Sequence, residues 1–220
     1  MAVAVLIAVF VGFAPTYYLR SRSAPTPLPL FLHLHGVVFS SWIVCFLLQT
    51  VLVAARKTGV HRTLGWAVAG LALVMVPVGA MAGILSMRGQ VAAGNADQAL
   101  TFLTTPLLSM TVFAGLVGSA LAFRRQPELH KRLMLLATIS LLDAPIARWP
   151  LEILNTSAWA LYLVTDLFIA VAMVYDFTMR RAVHRVYLWG GLLIVLGQSL
   201  RTPLGGTEAW HAIARVLIGG

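Results

Sequence analysis

Four side chains within one apolar stretch, His35, Trp42, Gln49 and Arg56, recur every seven residues. Seven residues make nearly two helical turns, so the four lie on one slowly drifting stripe. Ionisable groups at membrane depth are costly and mark either a function or a buried partner. A stripe of this chemistry is expected to face other helices rather than lipid, with His33 on a different face near the same end. Further along, Asp143-Ala-Pro-Ile-Ala-Arg148 sets an acid and a base around Pro145, which frees a backbone carbonyl. Tyr162 and Asp166 are four apart and share a helix face, while Gln198 and Arg201 close a later apolar run. With a rise of about 1.5 Å per residue, His35 lies roughly 8 Å, Asp143 roughly 9 Å and Asp166 roughly 14 Å inside the outer ends of their helices. Arg148, Gln198 and Arg201 fall near the outer boundary, and Thr104, Thr105 and Ser109 in the outer half of the fourth helix. Polar residues of five helices are thus expected to gather in the outer half of the bilayer.

Two chemistries fit that gathering. In the first, Asp143 and Asp166 are neutralised by Arg148, Arg201 or a protonated His35, and the ion pairs fix helix register without a ligand. In the second, His35, Asp143, Arg148, Asp166 and Gln198 line a pocket open to the outer side. There His35 exchanges protons or ligates, the two acids relay protons, and Arg148 holds a carbonyl or an anionic group. A quinone suits these residue types, and so does a proton-coupled substrate. Haem needs two histidines at similar depth on facing helices; His33 and His35 have only His211 as an outer counterpart. On the other side, His61-Arg62, His130-Lys131-Arg132 and His184-Arg185 each open a helix. Their basic residues can snorkel to lipid phosphates. Alternatively His61, His130 and His184 converge on a metal, with Glu128 and Asp176 the only carboxylates at hand to orient them.

The elements that must position these groups are apolar runs at about 2–19, 30–55, 63–87, 101–123, 132–149, 158–179 and 186–200. A spanning helix needs about 20 such residues. The expected fold is therefore an all-α, polytopic membrane bundle of about seven transmembrane helices, forming one domain over residues 1–220. Residues Ser21 to Pro29 hold three prolines, Gly89 to Asp97 is small and polar, and Asn155, Thr156 and Ser157 offer N-caps for the sixth helix. Glu208 to Ile218 is expected to form a short amphipathic interfacial helix carrying Trp210. Gly79 with Gly83, and Gly115 with Gly118 and Ser119, are expected to let helices approach closely, and Pro77 and Pro145 to bend theirs.

Composition supports the class. Of 220 residues 60% are apolar and 10% charged, too few charges to coat a water-facing globule. The net charge of +9 comes from basic residues between apolar runs, where they anchor to phospholipid head groups; nucleic acid is not an expected partner. The even connections hold Arg56, Lys57, Arg62, Arg124, Arg125, Lys131, Arg132, Arg180, Arg181 and Arg185, against six basic residues elsewhere, Arg22 among them. That asymmetry puts the even connections and the N-terminus in the cytoplasm and the C-terminus outside. The first nineteen residues lack a basic n-region and a cleavage site, so a first transmembrane helix is expected rather than a signal peptide. The one cysteine, Cys45, excludes a disulfide framework within the chain and reads as a small buried apolar residue. No nucleotide-binding loop, nucleophile elbow or zinc-protease helix is present, and neither Lys57 nor Lys131 sits where a retinal Schiff base would.

The segments His35-Gly36, Arg56, His61-Arg62-Thr63-Leu64-Gly65 and His130-Lys131-Arg132-Leu133-Met134, ending at Arg148, resemble a bacterial family of predicted multi-pass membrane proteins of unknown function. The resemblance covers roughly residues 30–150 and, more distantly, extends to membrane proteins of haem handling and oxidase maturation. It implies a bacterial inner-membrane location and suggests that His35, His61 and His130 matter together, as cofactor ligands. Two functions follow as expectations: quinone, haem or other small-molecule binding in redox or proton-coupled chemistry, or a non-catalytic accessory subunit of a larger membrane complex.

Overall fold

The structure, a computed structural model, describes residues 1–20 and 27–219, without the side chain of Asn155; Arg22 lies outside the described residues. The first apolar run folds as α1 (Ala2–Phe13), continued by a π-helical turn, Ala14–Tyr18. Pro15 opens that turn, and its missing N–H widens the helix there. α2 (Leu30–Ala54) and α3 (Thr58–Ala92) form a hairpin around Arg56, which takes the left-handed φ of 59° the reversal requires. α3 overruns its apolar run at both ends, since hydropathy marks the apolar depth and not the limits of backbone hydrogen bonding. Next come α4 (Ala96–Phe102), α5 (Thr104–Ala122), α6 (Pro127–Ile139), α7 (Asp143–Ile146) and α8 (Glu152–Thr156). α9 (Ala158–Arg180) is capped by Ser157, whose hydroxyl accepts from the Ala160 N–H at 3.3 Å. α10 (Arg185–Ser199), α11 (Arg201–Gly205) and α12 (Glu208–Ile218) complete the chain, with no strand among the described residues.

The expected 132–149 helix is interrupted, the chain also breaks at the edges of the expected 101–123 and 186–200 helices, and the three breaks share a cause. Pro106, Pro145 and Pro203 each occupy the third position of the element that restarts the chain: α5, α7 and α11. A proline removes one backbone hydrogen bond and crowds the carbonyl four residues earlier. The 132–149 run is consequently broken across Ser140–Leu142 rather than merely bent, and α8 is an extra turn of helix that the hydropathy pattern does not mark. Pro77, by contrast, lies within the unbroken α3.

Four segments are long and apolar enough to cross a membrane: Leu30–Ala54, Thr58–Ala92, Ala96–Ala122 and Ala158–Arg180. The exterior is apolar to match. Trp66, Leu73, Trp159, Leu163 and Trp189 are each two-thirds or more exposed, a surface suited to acyl chains. Inside, Trp42, Met75, Phe113, Leu136, Ile139 and Leu142 are fully buried. Trp42 packs edge-on against Phe113 at 5.1 Å and donates its indole N–H to the Thr138 hydroxyl at 3.3 Å. A second small core joins Met87, Leu100, Leu103, Ala214 and Ile218; there α12 docks on α4, with the Trp210 indole donating to the Leu100 carbonyl at 2.8 Å.

Helices come close where side chains are smallest. Gly79 and Gly83 of α3 face Met110 and Pro106 of α5 at distances that leave no room for a Cβ. Gly115 and Gly118 do not serve the bundle in this way: nothing lies within 4 Å of a Cβ built there, so their face of α5 points outward. The closest approach is at Gly12, where a Cβ would sit 2.1 Å from the Pro145 carbonyl oxygen, backbone against backbone. Gly12→Ala should therefore force α1 off α7 and destabilise by about 1–3 kcal/mol. Gly70→Ala, at a position with open space around it, should be neutral. Thermal unfolding of the detergent-solubilised variants reads the difference.

Candidate functional site

The three proline-marked restarts meet. Two residues before each proline stands a buried polar residue, Thr104, Asp143 or Arg201, and Arg201 is bonded to both of the others. Arg201 Nη1 lies 2.7 Å from Asp143 Oδ2, and Thr104 Oγ1 donates to the Arg201 carbonyl at 3.0 Å. The Thr165 hydroxyl of α9 donates to Asp143 Oδ1 at 2.6 Å, Arg201 Nη2 donates to Ser109 Oγ at 3.0 Å, and the guanidinium rests over the Tyr162 ring. Both charged side chains are more than nine-tenths buried, so each neutralises the other where water is excluded.

Beside this ion pair the polar groups are incompletely satisfied. Asp166, next in sequence to Thr165, faces Gln198 of α10. Yet Asp166 Oδ1, Gln198 Nε2 and Arg201 Nε are buried without a hydrogen-bond partner, and Arg201 Nη1 meets Asp143 off the line a hydrogen bond needs. Such atoms are rare in folded proteins and each calls for an explanation.

Of the five residues expected to form one pocket, the structure joins three. Asp143, Asp166 and Gln198 belong to this cluster, whereas His35 and Arg148 face each other on the other side of α7. Arg148 makes no ion pair with Asp143; it donates to the Ala144 carbonyl at 2.5 Å and lies over the Phe13 ring. His35 stacks on Phe39 at 4.2 Å, with Nδ1 buried and unpartnered. Two concavities of the surface lie away from the cluster, one among Arg180, Val183, His184 and Arg185, another between Tyr17, Tyr18, Ser40 and Cys45. His211 bonds to Thr101 Oγ1 at 3.2 Å and does not oppose His35.

At the other end the basic connections converge. Arg124 lies over Trp66, and Glu128 takes Lys131 at 2.7 Å, Arg132 at 2.6 Å and Arg180 from across the bundle. Arg132 is buried and forks onto the buried Asp176 of α9, a pair that sequence reasoning missed. The two are 44 residues apart; the one signal was an acid inside an apolar run. Asp176 also accepts the His184 backbone N–H at 2.9 Å, while the His184 ring caps α10 by accepting from Val186 N. Of the three histidines expected to share a metal, His61 and His130 come together with ring centroids 6.4 Å apart, and His184 is engaged elsewhere. Among the described residues no group of three or more His, Cys, Asp or Glu could hold a metal ion.

No family model, curated protein or solved structure matches the chain.

Two measurements test the basic end. Asp176→Leu leaves the buried Arg132 guanidinium with only the half-exposed Glu128 as counter-ion and should cost up to about 3–5 kcal/mol of stability in a detergent melt, and Arg132→Leu on that background should restore most of it. Burial, and next the Arg132 charge, hold the His184 imidazole below its ordinary pKa. The fold therefore favours the neutral ring, and its contribution is full above the unfolded pKa and falls as pH drops below that value. Between about pH 7.5 and 5.5 the wild-type melting temperature should decline more steeply than that of His184→Asn.

Proposed function

We propose that the chain is a bacterial inner-membrane protein of seven crossings that binds a quinone or a similar carbonyl-bearing small molecule and exchanges protons with it. The four long segments would be joined by Ala2–Tyr18 and by the interrupted segments 127–146 and 185–205, each of the latter close to the length of a span. The gathering of the Arg124, Lys131, Arg132 and Arg180 connections at one end supports a cytoplasmic placement of that end, with the N-terminus inside and the C-terminus outside.

The observation that carries the reading is the contrast between the two neighbouring acids. Asp143 is held on both oxygens, by Arg201 and by Thr165. Asp166 meets only the Gln198 amide, and neither its Oδ1 nor the Gln198 Nε2 is in a well-formed hydrogen bond. An amide N–H at that position suits a carbonyl oxygen, and a carboxyl beside it suits delivery or removal of its proton. A quinone fits better than haem, since His35 faces Arg148 and not a second imidazole. A specific observation also favours the accessory-subunit reading: the outward Gly115–Gly118 face of α5 is shaped to receive another helix.

The test is purification into lipid nanodiscs, extraction for co-purified quinone, an absorption spectrum, and titration with a short-chain quinone followed by tryptophan fluorescence. Saturable binding is expected, weakened about tenfold by Asp166→Asn and by Gln198→Leu, the loss of one hydrogen bond to the ligand. A parent that never saturates, or variants that bind as it does, would overturn the quinone reading. Co-purification of another chain at fixed stoichiometry, lost in Gly118→Leu, would then put the accessory role in its place.

A further inference from the structure

The end of α2 and the starts of α3 and α6 bring Gln49, His61 and His130 into one corner, away from the Asp143–Arg201 cluster and independent of the quinone reading. His130 Nδ1 is 2.8 Å from the Ala120 carbonyl oxygen. A carbonyl only accepts, so Nδ1 carries the proton and the lone pair is on Nε2. That is the arrangement by which metal-binding histidines are usually oriented, one ring nitrogen donating to a carbonyl while the other ligates. His61 Nδ1 is buried with no partner, and its ring also meets the Gln49 main chain. The Gln49 side chain is itself nine-tenths buried, and its Oε1 has no partner. Its amide lies over Gly65, one turn from His61 on the same face of α3; a Cβ there would be 3.7 Å from Nε2.

The spacing of the rings fits one ion between them. Metal–nitrogen bonds of roughly 2 Å on each side place the centroids of two imidazoles roughly 5 Å apart at a tetrahedral angle and roughly 6 Å apart when the two nitrogens oppose each other across the ion. The observed separation is 6.4 Å, with the rings turned 79° from one another. Rotation about the metal–nitrogen bond leaves the bond intact, so the crossed planes do not oppose coordination. No thiolate or carboxylate joins the pair among the described residues. Nitrogen donors with one neutral amide oxygen disfavour Mg2+ and Ca2+ and suit copper or zinc. Both rings are half-buried, so an ion could enter from the surface.

We propose that His61 and His130, in the corner they share with the buried Gln49 amide, bind a single copper or zinc ion at the basic end of the bundle. Two imidazoles and one amide leave a coordination position for water or an incoming ligand, as in exchangeable and not in closed structural sites. His184 takes no part, because its ring already accepts from Val186 N.

The full chain, carrying a tag without histidine, is stripped with chelator in detergent, equilibrated with Cu(II) or Zn(II), and analysed by mass spectrometry for bound metal. One ion per chain is expected, and the Cu(II) form should show the electron-spin signature of two nitrogen ligands. His61→Gln and His130→Gln should each weaken retention at least about tenfold. His33→Gln and His184→Gln should retain metal as the parent does. No retained ion in the parent, retention in the His61/His130 double variant, or a Cu(II) spectrum without nitrogen coupling would overturn the proposal. The spectrum is read on the parent, so it decides even where a variant fails to fold.

Discussion

A bilayer supplies no water to satisfy a backbone group or to solvate a charge, and this chain breaks three of its apolar helices with proline. The fold depends on how those breaks are handled. Each falls at one depth of the same bundle, and each carries a polar side chain two residues ahead of the proline: Thr104, Asp143 and Arg201. The Asp143–Arg201 ion pair ties α7 to α11, and the Thr104 hydroxyl takes the Arg201 carbonyl, a backbone group close to the break. Remove one partner and two short helices lose the contact that positions them while the other charge is left buried, which is worse than never having placed the pair there. The remaining close approaches gather around this knot. Gly12 lies against the Pro145 carbonyl, and Gly205 against the Thr101 carbonyl, with no room for side chains.

Charge is sparing and is used at the two ends differently. Of seven acidic residues, Asp143 is spent on the knot, while Glu128 and Asp176 organise the basic end. Glu128, half-exposed, gathers Lys131, Arg132 and Arg180, so its bonds are screened and replaceable. Asp176 is different: Arg132 beside it is almost fully buried, and the pair crosses from α6 to α9. The basic end thus has a wet rim around one dry ion pair, whereas the knot is dry throughout.

How much of this could be read in the sequence differs between helices and the contacts joining them. Helical class and the positions of α2, α5, α9 and α12 follow from hydropathy and caps, because these are local properties of consecutive residues; that α12 docks on α4 does not. The stripe on α2 also holds: Trp42 and Gln49 are buried and His35 is half-buried, while Arg56 is exposed in the turn beyond the helix. Pairings were less legible. Depth counting placed Asp143, Arg148 and Arg201 together, but rotation about each helix decides which base reaches the acid, and a one-residue change in a break turns a side chain by about 100°. That is why Arg201 meets Asp143 while Arg148, five residues along the same segment, turns to Phe13 and His35. Pro145 reads as a bend in isolation; it is a break because the Asp143 side chain has somewhere to be held.

The α2 stripe also joins the two ends mechanically. His35 and Gln49 are fourteen residues apart, about 21 Å along one helix face, with Trp42 midway. Trp42 is clamped between Phe113 of α5 and the Thr138 hydroxyl of α6, and α6 continues through the Ser140–Leu142 break into the Asp143 knot. The other end of α6 carries His130 and Arg132. One short helix therefore holds an imidazole and a buried cation at its start and leads into the buried carboxylate at its finish, with Trp42 of α2 bonded to its middle. A rigid-body shift of α6 that altered the Arg132–Asp176 pair would have to move Thr138 against Trp42 and strain the segment leading into Asp143. Packed interiors transmit such displacements because they contain few voids to absorb them. The two polar ends are distant in space, yet they share one helix, so a displacement of α6 is felt at both.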